Sequence, residues 1–235
     1  MKKLLLSLLL LLVSVYSYSQ ERKMLIGFSY GAANPIGKGT FTMDDYGYSV
    51  GFAKPGYSFN VNFHYRLNNW FGLSASLIKT SNDINTANLG EITFPGHYAS
   101  EIGQKVNKPT SNGCLLIGAF IKKSGFPLYG KIQVGYGFVQ AADVTFVLKD
   151  NNGTPTGFTM QSDAPFGFAY SAGIGAIFPV YKKLALTISV DFVSCLATPN
   201  VVLMNERTAA PVGFNTYDYS SYSINSQLGI AYMFK

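Results

Sequence analysis

The chain has 235 residues and a formal charge of +6, with 13% charged and 15% aromatic residues, where an ordinary soluble domain carries about 25% charged residues. So small and dispersed a charge excludes a nucleic-acid surface, and two cysteines, Cys114 and Cys195, are too few for a disulfide framework. Beyond the N-terminus no apolar run approaches the ~20 residues of a membrane-spanning helix, so the apolar surface must be placed some other way.

At the N-terminus, Lys2 and Lys3 precede "LLLSLLLLLVSV" and then the small-residue stretch "YSYSQ". This is the layout of a secretory signal peptide, with an apolar core too short to span as a helix. Cleavage is expected between Ser19 and Gln20. That leaves residues 1–19 as the leader and 20–235 as one domain. Neither cysteine lies near this point, which excludes a lipid-modified N-terminal Cys. An exported chain is permitted a Cys114–Cys195 bond, but the strands read below set the two on non-adjacent parts of the sheet. The expectation is therefore two buried small residues.

From there, apolar and small polar residues alternate in segment after segment. "MLIGFSYGAA" sets Ile26, Phe28 and Tyr30 against Gly27, Ser29 and Gly31. "YSFNVNFHYRL" opposes Tyr57, Phe59, Val61, Phe63 and Tyr65 to Ser58, Asn60, Asn62, His64 and Arg66. "FGLSASL", "YGKIQVGYGF", "PFGFAYSAGIGAIF" and "LALTISVDF" repeat the pattern, whereas "CLLIGAFI" is apolar on both parities and its facing stays open. The last stretch, "YSINSQLGIAYMFK", places Tyr222, Ile224, Leu228, Ile230, Tyr232 and Phe234 opposite Ser223, Asn225, Gln227, Gly229 and Ala231. A period of two is the signature of a strand. Eight strands of about ten residues result, the length a tilted membrane strand needs.

The connections alternate too. "NNW", "KKSGFP" and "PVYKK" are short and rich in turn formers. The segments 34–56, 81–111, 140–164 and 194–221 are long and polar, and hold ten of the twelve acids. Such a chain runs up and down with every short turn at one end. "TFVLKDNNGTPTGFTM" in the third long connection reads as a hairpin turning at Asn151 to Gly153.

A soluble up-and-down barrel would put the large face inside, but the interior of eight strands is only just wide enough for side chains to fill. It has no room for so many Tyr and Phe, and the other face is too poor in Lys and Glu for a water-exposed surface. With the sheet turned the other way, the large residues contact lipid and the small polar ones fill a narrow lumen. Tyr near both strand ends with aliphatics between matches the two membrane interfaces. Basic pairs at Arg22-Lys23, Lys122-Lys123 and Lys182-Lys183 mark the short-turn end.

The leader, the eight alternating strands, the alternation of connection lengths and the terminal "YMF" together resemble the small outer-membrane β-barrel families. The OmpA membrane domain, OmpX and OmpW are of this kind, as are the outer membrane protein beta-barrel and PorT-like proteins. The resemblance spans the mature chain and rests on pattern rather than motif. It implies an all-β fold: an eight-stranded antiparallel up-and-down transmembrane barrel with long extracellular loops and short periplasmic turns. It also implies outer-membrane localisation and lipids as neighbours. Tyr232 and Phe234 would be the terminal signal for the barrel-assembly machinery, with Lys235 following as a departure from the usual last aromatic.

Chemistry is sparse. The lipid A deacylase of this architecture carries a His-x-Ser pair, and neither His64 nor His97 has Ser two residues on. His97, Ser100 and Glu101 are the right residue types without a spacing logic. No phosphate loop or metal-ligand spacing is present, so no cofactor is expected. The remaining place for chemistry is the lumen, with His64, Arg66, Lys131, Gln133, Asp191, Asn225 and Gln227 as its polar residues. Lys131 toward one end and Asp191 toward the other read as too far apart for a compact plug, and the inward Gly and Ser as a loosely packed or watery interior. The reading is a non-enzymatic barrel, structural, adhesive or ligand-binding through its long connections. Its partners are lipid, the assembly machinery and an unidentified extracellular ligand. A narrow pore and a lipid A-modifying enzyme are the alternatives.

Parity supplies a test. Leu228→Arg, at mid-depth on the greasy face, is expected to lower stability by about 2–4 kcal/mol, and Gln227→Ser on the other face to change little. Urea unfolding of refolded protein in micelles measures both; a Leu228→Arg barrel as stable as the parent would remove the lipid-facing assignment.

Overall fold

The alternating segments fold as strands because their apolar residues recur every second position and their ends carry turn formers. A computed structural model of the chain describes residues 23–36, 42–43, 48–49, 54–83, 98–150, 152–197, 200–208, 210–216 and 219–234. Residues 1–19, the expected leader, therefore lie outside the described residues, as do His97 and Asn151. The strands are β1 (Met24–Pro35), β2 (Thr42–Met43), β3 (Tyr48–Ser49), β4 (Gly56–Arg66), β5 (Phe71–Asn82), β6 (Tyr98–Lys108), β7 (Thr110–Ile121) and β8 (Leu128–Gln140). They continue as β9 (Asp143–Asp150), β10 (Pro155–Ser162), β11 (Phe166–Tyr181), β12 (Leu184–Ala197), β13 (Asn200–Asn205), β14 (Ala210–Thr216) and β15 (Tyr219–Phe234).

Eight of them close into a barrel in the order β1-β15-β12-β11-β8-β7-β5-β4. The last strand pairs with the first from Met24 opposite Phe234 to Pro35 opposite Ser223, so no barrel edge is left unpaired. Closure is what lipid demands, since no water is present there to satisfy a free N–H or C=O. The three short turns have distinct local causes. Asn68 Oδ1 accepts the backbone N–H groups of Trp70 and Phe71, both at 2.8 Å. Gly125 adopts φ 74°, and Lys182 takes φ 37° at the tip of the third turn. "PVYKK" is not all turn: β11 runs on through Pro179 to Tyr181 and its register with β12 shifts there.

The long connections are more ordered than their polar composition implied. Strands β14-β13-β10-β9-β6 form a second, five-stranded sheet, assembled from three of the four long connections. The expected hairpin is β9 with β10, Phe146 facing Phe158 across it, and Gly153 at the turn has φ 80°. Strands β6, β13 and β14 are not legible as alternation: β6 pairs with β9 and β13 with β10, strands of another connection, and β14 pairs with its sequence neighbour β13 across a register shift at Leu203 and Met204.

Side chains sort inside out relative to a soluble protein. Phe166 is 79% and Tyr136 72% exposed, while Asn60 and Asn225 are 0% exposed. In β7, whose facing alternation left open, Leu115, Ile117 and Ile121 point outward, and Cys114, Leu116 and Phe120 are buried in the lumen. Aromatic contacts run around the long-connection end of the outer surface: Phe138–Phe166, Phe168–Tyr170, Tyr170–Phe192 and Phe192–Tyr222 have ring centroids 6.0–6.2 Å apart. At the short-turn end Lys123, Lys182 and Lys183 lie over Trp70, Tyr181 and Tyr232, 5.2–5.6 Å from the ring centres. Rings at both rims with aliphatics between are the lipid-facing arrangement.

Removing Ser226 to Lys235 strips the partners of Met24 to Ala32 on β1 and of Leu184 to Val190 on β12. The truncated chain is expected to give no heat-modifiable folded band on a gel; a band like that of the full chain would show that closure by β15 is dispensable.

Candidate functional site

The lumen is filled in three layers. At the long-connection end Ile78, Cys114, Leu116, Val139, Ala169, Val193 and Cys195 form one buried apolar cluster, with Thr80, Asn112 and Ser223 buried beside it. At the short-turn end Leu25, Phe120, Tyr129, Ile177, Ala185, Ala231 and Met233 form another. His64 stacks within that lower layer, its ring 4.9 Å from Phe120 and 5.4 Å from Tyr129.

Between the apolar layers lies a polar one that crosses the barrel. Gln133 is a hub: its Oε1 accepts from Ser76 (2.9 Å) and Ser171 (3.2 Å), and its Nε2 donates to Ser74 (2.7 Å). Gln227 is a second, with Oε1 accepting from Ser29 (3.1 Å) and Asn60 (3.2 Å) and Nε2 donating to Ser58 (2.7 Å). Asn62 Oδ1 accepts from Ser76 (2.9 Å) and from Lys131 Nζ (3.3 Å).

Lys131 and Asp191 meet. Their ion pair is 3.1 Å long, with side chains 0% and 1% exposed, and Ser189 donates to Asp191 at 3.1 Å. This corrects the expectation of two separated charges in a loose interior. The reason is stagger. Strands in a barrel tilt, so height cannot be read from distance to the strand end. Gly173 on β11 faces Lys131 on one side and Asp191 on the other, which puts both charges on one rung. Only a glycine fits between them, because a Cβ there would lie 1.9 Å from Asp191 Oδ1. The Gly173 position could have signalled the pair had register been known.

The other sequence-predicted residues divide. Asn225 is buried opposite Asp191 and Ala33, with no protein partner for either amide atom. Arg66 sits at the short-turn mouth, half-buried, its Nε without a protein partner. Beside it the turn residue Lys122 is pushed down to about 8, by burial first and by the Arg66 charge second. Gln227 is more engaged than its expected tolerance to Ser allowed. Cutting it back to Ser leaves Asn60 and Ser58 short of a buried partner, which costs about 1–3 kcal/mol. Tyr232 and Phe234 pack edge to face with centroids 4.7 Å apart.

The second sheet carries its own polar ladder, which sequence reasoning missed. Asn107 donates to Thr145 (2.8 Å), Thr145 and Thr159 share a hydrogen bond (3.0 Å), and Thr159 donates to Glu206 (2.7 Å). Lys108 pairs with Asp143 at 2.8 Å, and Asp163 accepts from the backbone and side-chain nitrogens of Asn200 at 2.8 and 2.7 Å. Among the described residues no three His, Cys, Asp or Glu side chains converge as metal ligands. His64 is enclosed in the lumen, out of reach of any large substrate.

An apolar exterior with aromatic rims, a filled polar lumen and a closed antiparallel ring define a membrane-spanning β-barrel. The chain belongs to the family described as outer membrane protein beta-barrel domain, whose model matches residues 4–234, and it is an outer-membrane protein whose barrel sits in lipid. No curated protein sequence matches it. Among solved structures it is similar to the outer membrane protein OprG from Pseudomonas aeruginosa, at 11% identity over 92% of this chain and 97% of that one, with TM-score 0.50. It also resembles Ail, the attachment invasion locus protein of Yersinia pestis (13%, 92% and 100%, TM-score 0.47). The outer membrane protease OmpT from Escherichia coli gives 9%, 93% and 100%, with TM-score 0.42. Identities this low speak to the fold alone.

Removing one member of a buried ion pair strands the other charge, whereas replacing both with apolar groups is often neutral. Asp191→Leu alone is expected to destabilise by about 3–5 kcal/mol, and Lys131→Met with Asp191→Leu to recover most of the loss. Denaturant unfolding in micelles reads both; a double variant as unstable as the single one would show that the pair is not the contact that matters.

Proposed function

We propose that this protein is a non-enzymatic, non-conducting barrel that acts through the sheet and connections at its long-connection end, held outside the cell for adhesion or ligand binding. One observation carries the reading: the lumen is closed by two apolar layers and a cross-linked polar layer containing the Lys131–Asp191 pair. A filled lumen offers no path to solutes, and eight strands leave no wide channel in any case. The part free to meet a partner is the second sheet, whose polar ladder gives it a fixed rather than a fluctuating surface.

Orientation follows from charge. Lysines seated over Trp70, Tyr181 and Tyr232 suit the inner-leaflet phosphates on the periplasmic side, and the acidic long connections suit the outside. In this reading residues 1–19 direct export, and Tyr232 and Phe234 engage the barrel-assembly machinery. His64, sealed between Phe120 and Tyr129, is out of reach as a general base, which favours a non-enzymatic role.

Planar-bilayer recordings of refolded protein, beside lipid A modification and peptide cleavage assays, are expected to show no steady conductance and no product. A tag at the Asn152–Gly153 turn is expected to label from outside intact cells. Ohmic steps would establish a pore, product would establish an enzyme, and labelling only after permeabilisation would reverse the orientation.

A further inference from the structure

Cys114 on β7 and Cys195 on β12 are free thiols in the structure, 2% and 1% exposed. Their strands do not pair; β8 and β11 lie between them. Nevertheless the two sulfurs converge on one point of the lumen. A Cβ at Gly137 would lie 2.8 Å from Cys114 Sγ and 2.9 Å from Cys195 Sγ, so the two sulfurs flank a single point. The intervening strands make room, carrying only Gly137, Gly167 and Ala169 at that level. A second contact shows that the barrel walls approach each other here. Asn112, one inward position from Cys114, donates to Ser221, and Ser221 is the rung partner of Cys195. Across the apolar upper layer, the walls thus meet at two neighbouring points.

We infer that Cys114 and Cys195 are a covalent cross-brace: a disulfide that ties β7 to β12 through the lumen at the long-connection end. A barrel of the outer membrane is assembled on the oxidising side of the cell, where such bonds persist. Forming one S–S bond removes two protons and two electrons from the thiols. The electrons reduce the disulfide of a thiol–disulfide exchange protein, whose own S–S bond breaks to two thiols after a mixed disulfide. Both sulfurs are buried in the finished barrel, so the exchange takes place while the chain is still open. The bond joins residues 81 apart in sequence, a long loop whose closure restricts the unfolded chain strongly. It also pins the layer at the long-connection end, which the Lys131–Asp191 pair does not reach.

The test is thiol counting on protein extracted from the outer membrane without reductant, with alkylation by a mass-tagged maleimide in denaturant. No tag is expected before reduction and two after it, with a Cys114–Cys195 cross-linked peptide in the unreduced digest. Reduction is also expected to lower the temperature at which the folded gel band converts, and to have no such effect on Cys195→Ala. Two tags on unreduced protein would overturn the cross-brace, as would a disulfide-linked dimer. Gly137→Ala, which fills the point where the sulfurs meet, is expected to leave both thiols taggable in whatever fraction folds; a fully bonded Gly137→Ala barrel would contradict the geometry.

Discussion

Everything in this molecule depends on the closure of the hydrogen-bonded ring. In hydrocarbon an unpaired backbone group has no water to turn to, and each one left open costs several kcal/mol. The chain meets that demand by pairing its last strand with its first, Phe234 beside Met24. Once the ring is closed, parity does the rest, for every second side chain must face lipid and every other one must face the lumen. The two environments then select opposite chemistries along a single strand, as β15 shows with Ile224, Leu228 and Ile230 outside and Asn225 and Gln227 inside.

Closure also creates the problem of the lumen, a narrow space that must be filled without stranding polar groups. The solution is layered. Apolar side chains cap both ends, and between them Gln133, Gln227 and Asn62 satisfy serines from several strands at once. The Lys131–Asp191 pair sits in that middle layer because Gly173 leaves room for it. Such a pair is worth less for stability than its two charges imply, since both were taken from water. Its consequence is that the interior is held shut by fixed partners, which moves any interaction with the outside world to the second sheet.

The barrel was legible in the sequence because its signal is local. Period two, strand length and alternating connections can all be read within one segment and its neighbours, and the lumen-facing set from His64 to Gln227 follows from parity. What was not legible depends on register and stagger. The Lys131–Asp191 pair was misjudged because height in a tilted barrel is not distance along a strand. The meeting of Cys114 with Cys195 was missed because non-neighbouring strands can still face each other across a narrow lumen. Strands β6 and β13 are illegible for a related reason, since β6–β9 and β10–β13 join different connections, and the register shift between β13 and β14 breaks the period where the pairing is local.

The central claim is that one parity meets lipid while the other meets a dry, filled interior. A nitroxide scan along β15 from Tyr222 to Phe234, in a Cys114→Ala/Cys195→Ala background and in bilayers, reads both faces at once. Collisions with oxygen, which dissolves in lipid, are predicted to peak at every even position. Collisions with a water-soluble nickel chelate should stay low at Asn225, Gln227 and Gly229. Uniform collision rates along the strand, or ready access of the chelate to those three positions, would contradict the account.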